Sequence, residues 1–167
     1  DFAHLLWGGL GMFVLARRFA GTPRAACVAS LAWALAGYNL SQWTSGLRML
    51  AGAWLPWMAV GQFALWDSLR AGGLAWRRGV VKAALPIVGG LLVGELFVAM
   101  MGVLFALVTA ALGVRGEAPV ASVRPLRRAA LLALPPALAL GLAAVVLVPA
   151  AALLGSSQRA GGFSRAD

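Results

Sequence analysis

An acidic residue, Glu95, interrupts one of the most apolar stretches of the chain, residues 91–97 (LLVGELF). A carboxylate inside a bilayer is energetically costly and usually serves a function. Arg48 and Arg159 lie in two of the polar stretches of the sequence, and a guanidinium group can bind phosphate through two parallel hydrogen bonds. These three side chains could hold a phosphorylated substrate, with Glu95 orienting an arginine or binding a hydroxyl group of that substrate.

Three further polar residues could contribute to the same site. His4 begins the first apolar run, and Tyr38 and Asn39 follow the second. Each of the six candidates also has a simpler interpretation. Glu95 would be a turn residue at the membrane surface, the two arginines would contact ordinary lipid headgroups, and His4, Tyr38 and Asn39 would only mark helix ends.

Several kinds of chemistry have no support in the sequence. There is no GxxxxGK[ST] loop for nucleotide binding, no HExxH or CxxC pattern for zinc, and no GxSxG hydrolase motif. His4 is the only histidine and Cys27 the only cysteine, so neither can belong to a His pair or a disulfide. We therefore expect no cofactor that can be identified from the sequence.

The composition is typical of a membrane protein. Hydrophobic residues make up 62% of the chain and charged residues 11%, whereas a soluble domain carries about 25% charged residues. The net charge is +9, but the basic residues lie in short clusters between apolar runs, as the positive-inside rule predicts. We therefore expect the lipid bilayer to be a partner, and we do not expect nucleic acid binding.

The apolar runs predict an all-α protein, a polytopic bundle of about six transmembrane helices in one domain. With six spans and residue 1 outside, 11 of the 14 Lys and Arg residues are on the inner side, whereas five spans would give a weaker bias. Six spans also move Glu95 to a turn at the outer face, and residues 151–167 would begin an outer segment. The predicted spans cover residues 2–16, 25–40, 50–67, 79–94, 96–112 and 128–150.

Four segments together resemble the YfhO-type bacterial membrane proteins, which belong to the GT-C glycosyltransferase group. The first segment resembles a helix that begins with His and ends in a basic patch. The second resembles a helix of small residues that ends in Gly-Tyr and is followed by Trp-Leu-Pro at the start of the next helix. The third resembles a helix that ends in Gly-Glu, and the fourth a Leu-Pro segment that leads to Ser-x-Arg. The sequence differs from the family pattern at Leu96 and Phe97, where the family often has Pro-Gln. The segments are residues 4–19, 25–43 with 50–58, 91–97, and 147–162.

The resemblance implies a GT-C-like fragment of an enzyme in the bacterial cytoplasmic (inner) membrane. Such an enzyme transfers a sugar from a polyprenyl-phosphate donor to an envelope polymer or glycolipid at the outer face. It also implies that the catalytic carboxylate lies upstream of residue 1, that the full-length protein can use a divalent metal, and that the chain, an internal fragment, is inactive alone. The alternatives are a transporter or flippase for a lipid-linked substrate and a non-catalytic membrane scaffold.

Overall fold

The computed structural model describes residues 2–36, 52–93, 100–105, 108 and 125–156. Across these ranges the chain is helical and contains no strand, which confirms the predicted all-α class. Residues 100–105 are also helical. The five principal helices are α1 (Phe2–Phe19), α2 (Pro23–Ala34), α3 (Leu55–Ala71), α4 (Ala75–Leu92) and α5 (Pro125–Ser156).

Local sequence signals explain the two short connections. Thr22 caps α2, since its hydroxyl oxygen accepts a hydrogen bond from the Ala25 amide at 3.3 Å, and Pro23 provides a backbone angle suited to the first turn. Gly72 and Gly73, between α3 and α4, have φ angles of +73° and +56°. Glycine adopts this left-handed conformation without a steric penalty, so the chain can reverse directly after α3.

The helices pack as two antiparallel hairpins followed by the long α5. In the first hairpin, the Ser30 hydroxyl of α2 donates a hydrogen bond to the Gly9 carbonyl of α1 at 2.6 Å. The second hairpin joins α3 to α4 and has the most extensive helix–helix contact of the described fold. Helix α1 runs alongside α3 and α5 runs alongside α4, so the α3–α4 hairpin lies at the centre of the arrangement.

Helices α3 and α4 approach each other closely because Gly61 lacks a side chain. A Cβ atom at Gly61 would lie 2.6 Å from the Lys82 carbonyl oxygen and 2.9 Å from the Ala83 Cα atom. Pro86 is four residues after Lys82 and has no N–H, so this carbonyl lacks its usual helical hydrogen-bond donor. The Lys82 carbonyl oxygen, which lacks this donor, therefore faces the buried Gly61 across the hairpin.

Two groups of buried side chains form the core. One group joins α3, α4 and α5. It consists of Met58 of α3, Ile87 and Leu91 of α4, and Ala139 and Ala143 of α5. The second group joins Leu65 of α3 to Val80 and Ala83 of α4. The small alanines of α5 allow its backbone to approach the bulky residues of α3 and α4, which is a common way to pack long helices closely.

The prediction of a six-span bundle is wrong. Among the described residues, a single helical segment, Ala133–Leu153, is long and apolar enough to cross a membrane. It overlaps the predicted span 128–150. Much of the predicted span 96–112, and the proposed turn at Glu95, lie outside the described residues.

The other helices coincide roughly with predicted spans but do not meet the requirements of a span. Helix α2 has 12 residues, about 18 Å at ~1.5 Å per residue, whereas the hydrocarbon core is about 30 Å thick. Helix α1 ends in two arginines, α3 contains Gln62 and Asp67, and α4 carries three basic residues in its first half. The overall composition suggested more spans because it does not show where each helix ends or which charged residues fall inside it.

The close contact at Gly61 gives a first prediction. The substitution Gly61→Ala should destabilise the fold by about 1–3 kcal/mol, because the added methyl group forces backbone atoms of α3 and α4 apart. The control is Gly141→Ala, since a Cβ atom at Gly141 meets nothing within 4 Å. The control should be neutral or stabilising by up to ~1 kcal/mol, because alanine is the better helix former. Thermal unfolding in detergent micelles, followed by circular dichroism, measures both, and equal shifts would contradict this account.

Candidate functional site

A tryptophan cluster occupies the end of the fold where α1 and α3 begin. The indole rings of Trp7 and Trp57 stack with centroids 4.6 Å apart, and Trp54 meets Trp7 edge-on at 5.6 Å. The Trp57 Nε1 group donates a hydrogen bond to the Trp7 carbonyl at 2.9 Å. These contacts fix α1 against α3 and form a rigid aromatic surface, because stacked and edge-on aromatic pairs are favourable beyond their buried area.

Glycines on the neighbouring helices make room for these rings. A Cβ atom at Gly11 would lie 2.7 Å from Trp57 Nε1, and one at Gly89 would lie 2.6 Å from Trp54. Gly8 faces the six-membered ring of Trp33 in the same way. These contacts show that Gly8 and Gly11 of α1 allow close packing against the tryptophan rings.

His4 is the one predicted site residue that the structure describes, and it lies one turn before Trp7. Its side chain is partly buried, and the Nδ1 atom has no hydrogen-bond partner among the described residues. The other predicted site residues, Glu95, Arg48, Arg159, Tyr38 and Asn39, lie outside the described residues. The predicted gathering of these side chains around His4 therefore stays a prediction.

The opposite end of α1 and α3 carries an ion pair. The Arg18 Nη1 and Nη2 groups donate hydrogen bonds to the two Asp67 carboxylate oxygens at 2.5 and 2.7 Å. The guanidinium carbon also lies 4.8 Å from the centre of the Phe63 ring, within the range of a cation–π interaction. Phe19 packs edge-on against the same ring at 5.3 Å. Arg18 is thus held by a fork of hydrogen bonds and by an aromatic face.

The ion pair changes the acidity of both partners. The pKa of the Asp67 carboxyl lies below its ordinary value of 3.8, because the hydrogen bonds from Arg18 outweigh partial burial and the charges of Arg18 and Arg70 add to the effect. The pKa of the Arg18 guanidinium is raised by the same hydrogen bonds. Both groups are therefore charged at neutral pH. Their side chains are 35% and 49% exposed, so solvent screens much of the attraction.

A cleft of about 140 Å³ extends from this ion pair along the groove between α1 and α3. Arg18 and Asp67 form its polar end, and Phe63 lies beside them. The rest of the lining is aliphatic. Because side chains three or four residues apart share a helix face, the seven lining residues form one strip on each helix: Val14, Leu15 and Arg18 on α1, and Val60, Phe63, Ala64 and Asp67 on α3.

Sequence reasoning missed this cleft. It assigned Arg18 to a basic loop that only sets membrane orientation, and it gave Asp67 no role. A signal was present, since Asp67 is one of only five acidic residues in the chain and stands at the end of an apolar run. Nothing in the sequence, however, shows that it faces an arginine 49 positions away.

Gln62 is a buried polar side chain in the centre of the fold. It is fully inaccessible to solvent, and neither its amide oxygen nor its amide nitrogen has a partner among the described residues. Met58 and Leu65, one turn away on either side, belong to the two core groups. Gln62 is therefore enclosed within the described part of the fold.

The described residues contain no group of three or more His, Cys, Asp or Glu side chains that could hold a metal ion. The comparisons add no relative, since no protein-family model, no curated protein and no solved structure matches this chain.

The ion pair predicts a pH-dependent contribution to stability. Because the pKa of Asp67 is depressed in the folded state, the pair stabilises the fold above pH 3.8 and loses this effect as the pH falls through the lower, folded-state value. At neutral pH, Asp67→Asn should cost about 0.2–1 kcal/mol, as expected for an exposed pair. Thermal unfolding of wild type and variant between pH 7 and pH 2.5 measures the difference, which should shrink in acid.

The control is Arg24→Gln, which removes an exposed charge near the same end of the fold but outside the cleft. Its stability difference from wild type should not depend on pH in this range. A difference between wild type and Asp67→Asn that stays constant down to pH 2.5 would show that the ion pair is not formed.

Proposed function

We propose that this chain is a membrane-embedded part of a glycosyltransferase. The enzyme would take a sugar from a polyprenyl-phosphate donor and transfer it to an envelope polymer or glycolipid. Two separate lines support the proposal. The apolar outer surface of the helices supports a lipid environment, and the resemblance to the YfhO-type proteins supports the chemistry.

The observation that carries the membrane environment is the segment Ala133–Leu153 of α5. Its 21 residues have a mean hydropathy of 2.3, and few of them are covered by the rest of the described fold. At ~1.5 Å per residue a segment of this length extends about 31 Å, which matches the thickness of the hydrocarbon core. Val145 is 78% exposed and Leu153 71% exposed, as expected for side chains that contact lipid.

Other helices also present apolar side chains outward. Phe2, Leu6, Leu10 and Val14 recur every four residues along α1 and are all exposed. Helix α4, packed beside α5, exposes Val81, Leu85 and Leu92. Contiguous apolar surface of this extent mediates contact with a membrane or another protein. Contact with lipid hydrocarbon would cover these exposed apolar faces without any further protein segment.

The two ends of α1 and α3 carry different kinds of side chain. Tryptophans gather at the end that holds His4, and arginines at the end that holds Asp67. Tryptophan favours the membrane interface. The tryptophan cluster is therefore proposed to lie at the outer membrane surface, where the sugar transfer would take place, and residue 1 on the same side.

In the proposed reaction, Arg48 or Arg159 would stabilise the negative charge that grows on the leaving phosphate. Glu95 would orient an arginine or bind a sugar hydroxyl, and His4, Tyr38 and Asn39 would line the same outer region. A divalent metal could assist the phosphate in the full-length protein.

Membrane insertion can be tested at Val145. Valine to arginine at this central position of Ala133–Leu153 should cost about 2.5–3.5 kcal/mol of insertion free energy. The control, Ala130→Arg, places the same charge on an exposed position just before the segment. Extraction of membranes at alkaline pH should release more of the Val145→Arg variant than of the control. Complete release of the wild-type chain would remove the membrane assignment.

The enzymatic role can be tested in the full-length protein. Glu95→Gln and Arg159→Ala should each lower sugar transfer by at least tenfold, because a catalytic charge contributes several kcal/mol. Arg165→Ala, near the end of the chain, serves as the matched control and should retain activity. Transfer is measured as sugar incorporated into the envelope fraction. Wild-type rates in both variants would exclude these residues from the site, and an inactive wild-type protein would favour a non-catalytic scaffold.

A further inference from the structure

We propose that the cleft between α1 and α3 binds one anionic phospholipid, with its headgroup phosphate at Arg18 and an acyl chain along the groove. The headgroup site lies at the opposite end of α1 and α3 from the tryptophan cluster and so is separate from the proposed transfer site. The inference uses the membrane location proposed above but is independent of the sugar chemistry.

The shape of the cleft fits an amphiphile. Its lining changes from aliphatic side chains, Val14 and Val60 among them, to the charged pair Arg18 and Asp67 within one groove. From Val60 to Asp67 the groove runs along about 10 Å of helix, at ~1.5 Å per residue. A phospholipid has the same order of groups, a charged head joined to an apolar chain, and could lie in the groove with both parts matched.

The charge at this end favours an anion. Six exposed arginines lie near it, and Asp67 is the one acid among the described residues. The α1–α2 connection and the α3–α4 connection both bring arginines to the same end. Anionic lipids attract such clusters of basic residues near the membrane surface. The arginines are Arg17, Arg18, Arg24, Arg70, Arg77 and Arg78.

Asp67 does not prevent a phosphate from binding to Arg18, and it holds the Arg18 guanidinium group in a fixed orientation. A guanidinium group has five N–H donors, and Asp67 accepts from two of the nitrogen atoms, Nη1 and Nη2. The remaining donors of Arg18 are available to a phosphate oxygen at the mouth of the cleft. Because Asp67 and the Phe63 ring already fix the guanidinium, little side-chain entropy is lost when a phosphate binds. Arg70, whose charge also acts on Asp67, would add to the attraction.

The test compares lipid classes on the purified chain in neutral detergent micelles. Phosphatidylglycerol should raise the unfolding temperature in a saturable way, and phosphatidylcholine should not. The variant Arg18→Gln should lose at least tenfold in apparent affinity for phosphatidylglycerol. The matched control is Arg24→Gln, which removes the same charge at the same end but outside the cleft, and it should change the affinity less than twofold.

Three results would overturn the proposal. Equal stabilisation by phosphatidylcholine would mean that the cleft selects only the acyl chain. Equal stabilisation by inorganic phosphate at the same concentration would mean that the ligand is a free phosphate. An equal loss in Arg18→Gln and Arg24→Gln would mean that lipid meets a diffuse basic surface and not this cleft.

A second variant covers the possibility that Arg18→Gln does not fold. Ala64→Leu keeps every charge and fills part of the apolar groove, so it should weaken phosphatidylglycerol binding while the helical circular dichroism signal is retained. Unchanged binding in Ala64→Leu would show that the groove holds no acyl chain. Failure of either lipid test leaves the alkaline extraction result at Val145 unaffected, so the two proposals can fail separately.

Discussion

The close approach of α3 and α4 at Gly61 is the constraint on which the other contacts depend. The Lys82 carbonyl lacks its helical donor because of Pro86, and it faces a residue without a side chain. At this distance the two helices can share both core groups, Met58 with Ile87 and Leu65 with Val80. Helix α1 then packs on one side of the hairpin and α5 on the other, so the hairpin determines where both lie.

The parallel direction of α1 and α3 puts aromatic and charged side chains at opposite ends of the fold. Since α1 and α3 run the same way, their first turns bring tryptophans together and their last turns bring Arg18 to Asp67. The result is an aromatic end, a charged end and aliphatic side chains between them and around the outside. The cleft proposed to bind a phospholipid shows the same change from aliphatic to charged side chains within one groove.

The buried Gln62 illustrates how densely the central hairpin is packed. An amide side chain without hydrogen bonds costs about 1–3 kcal/mol when it is buried, and the packing around Met58 and Leu65 must offset that cost. Its position one turn from Met58 places it between the two core groups.

The sequence by itself determined the helical class and the approximate position of the helices. Apolar runs separated by glycine, proline and basic residues are sufficient for that, because such signals act locally. The sequence did not determine how many helices could cross a membrane, since that depends on where each helix begins and ends and on whether charged residues fall inside it, as they do in α1 and α4. The tertiary structure alone decided that Arg18 meets Asp67 and that Trp57 packs on Gly11. These contacts join residues about fifty positions apart, and they depend on which helix faces lie together after the hairpins close.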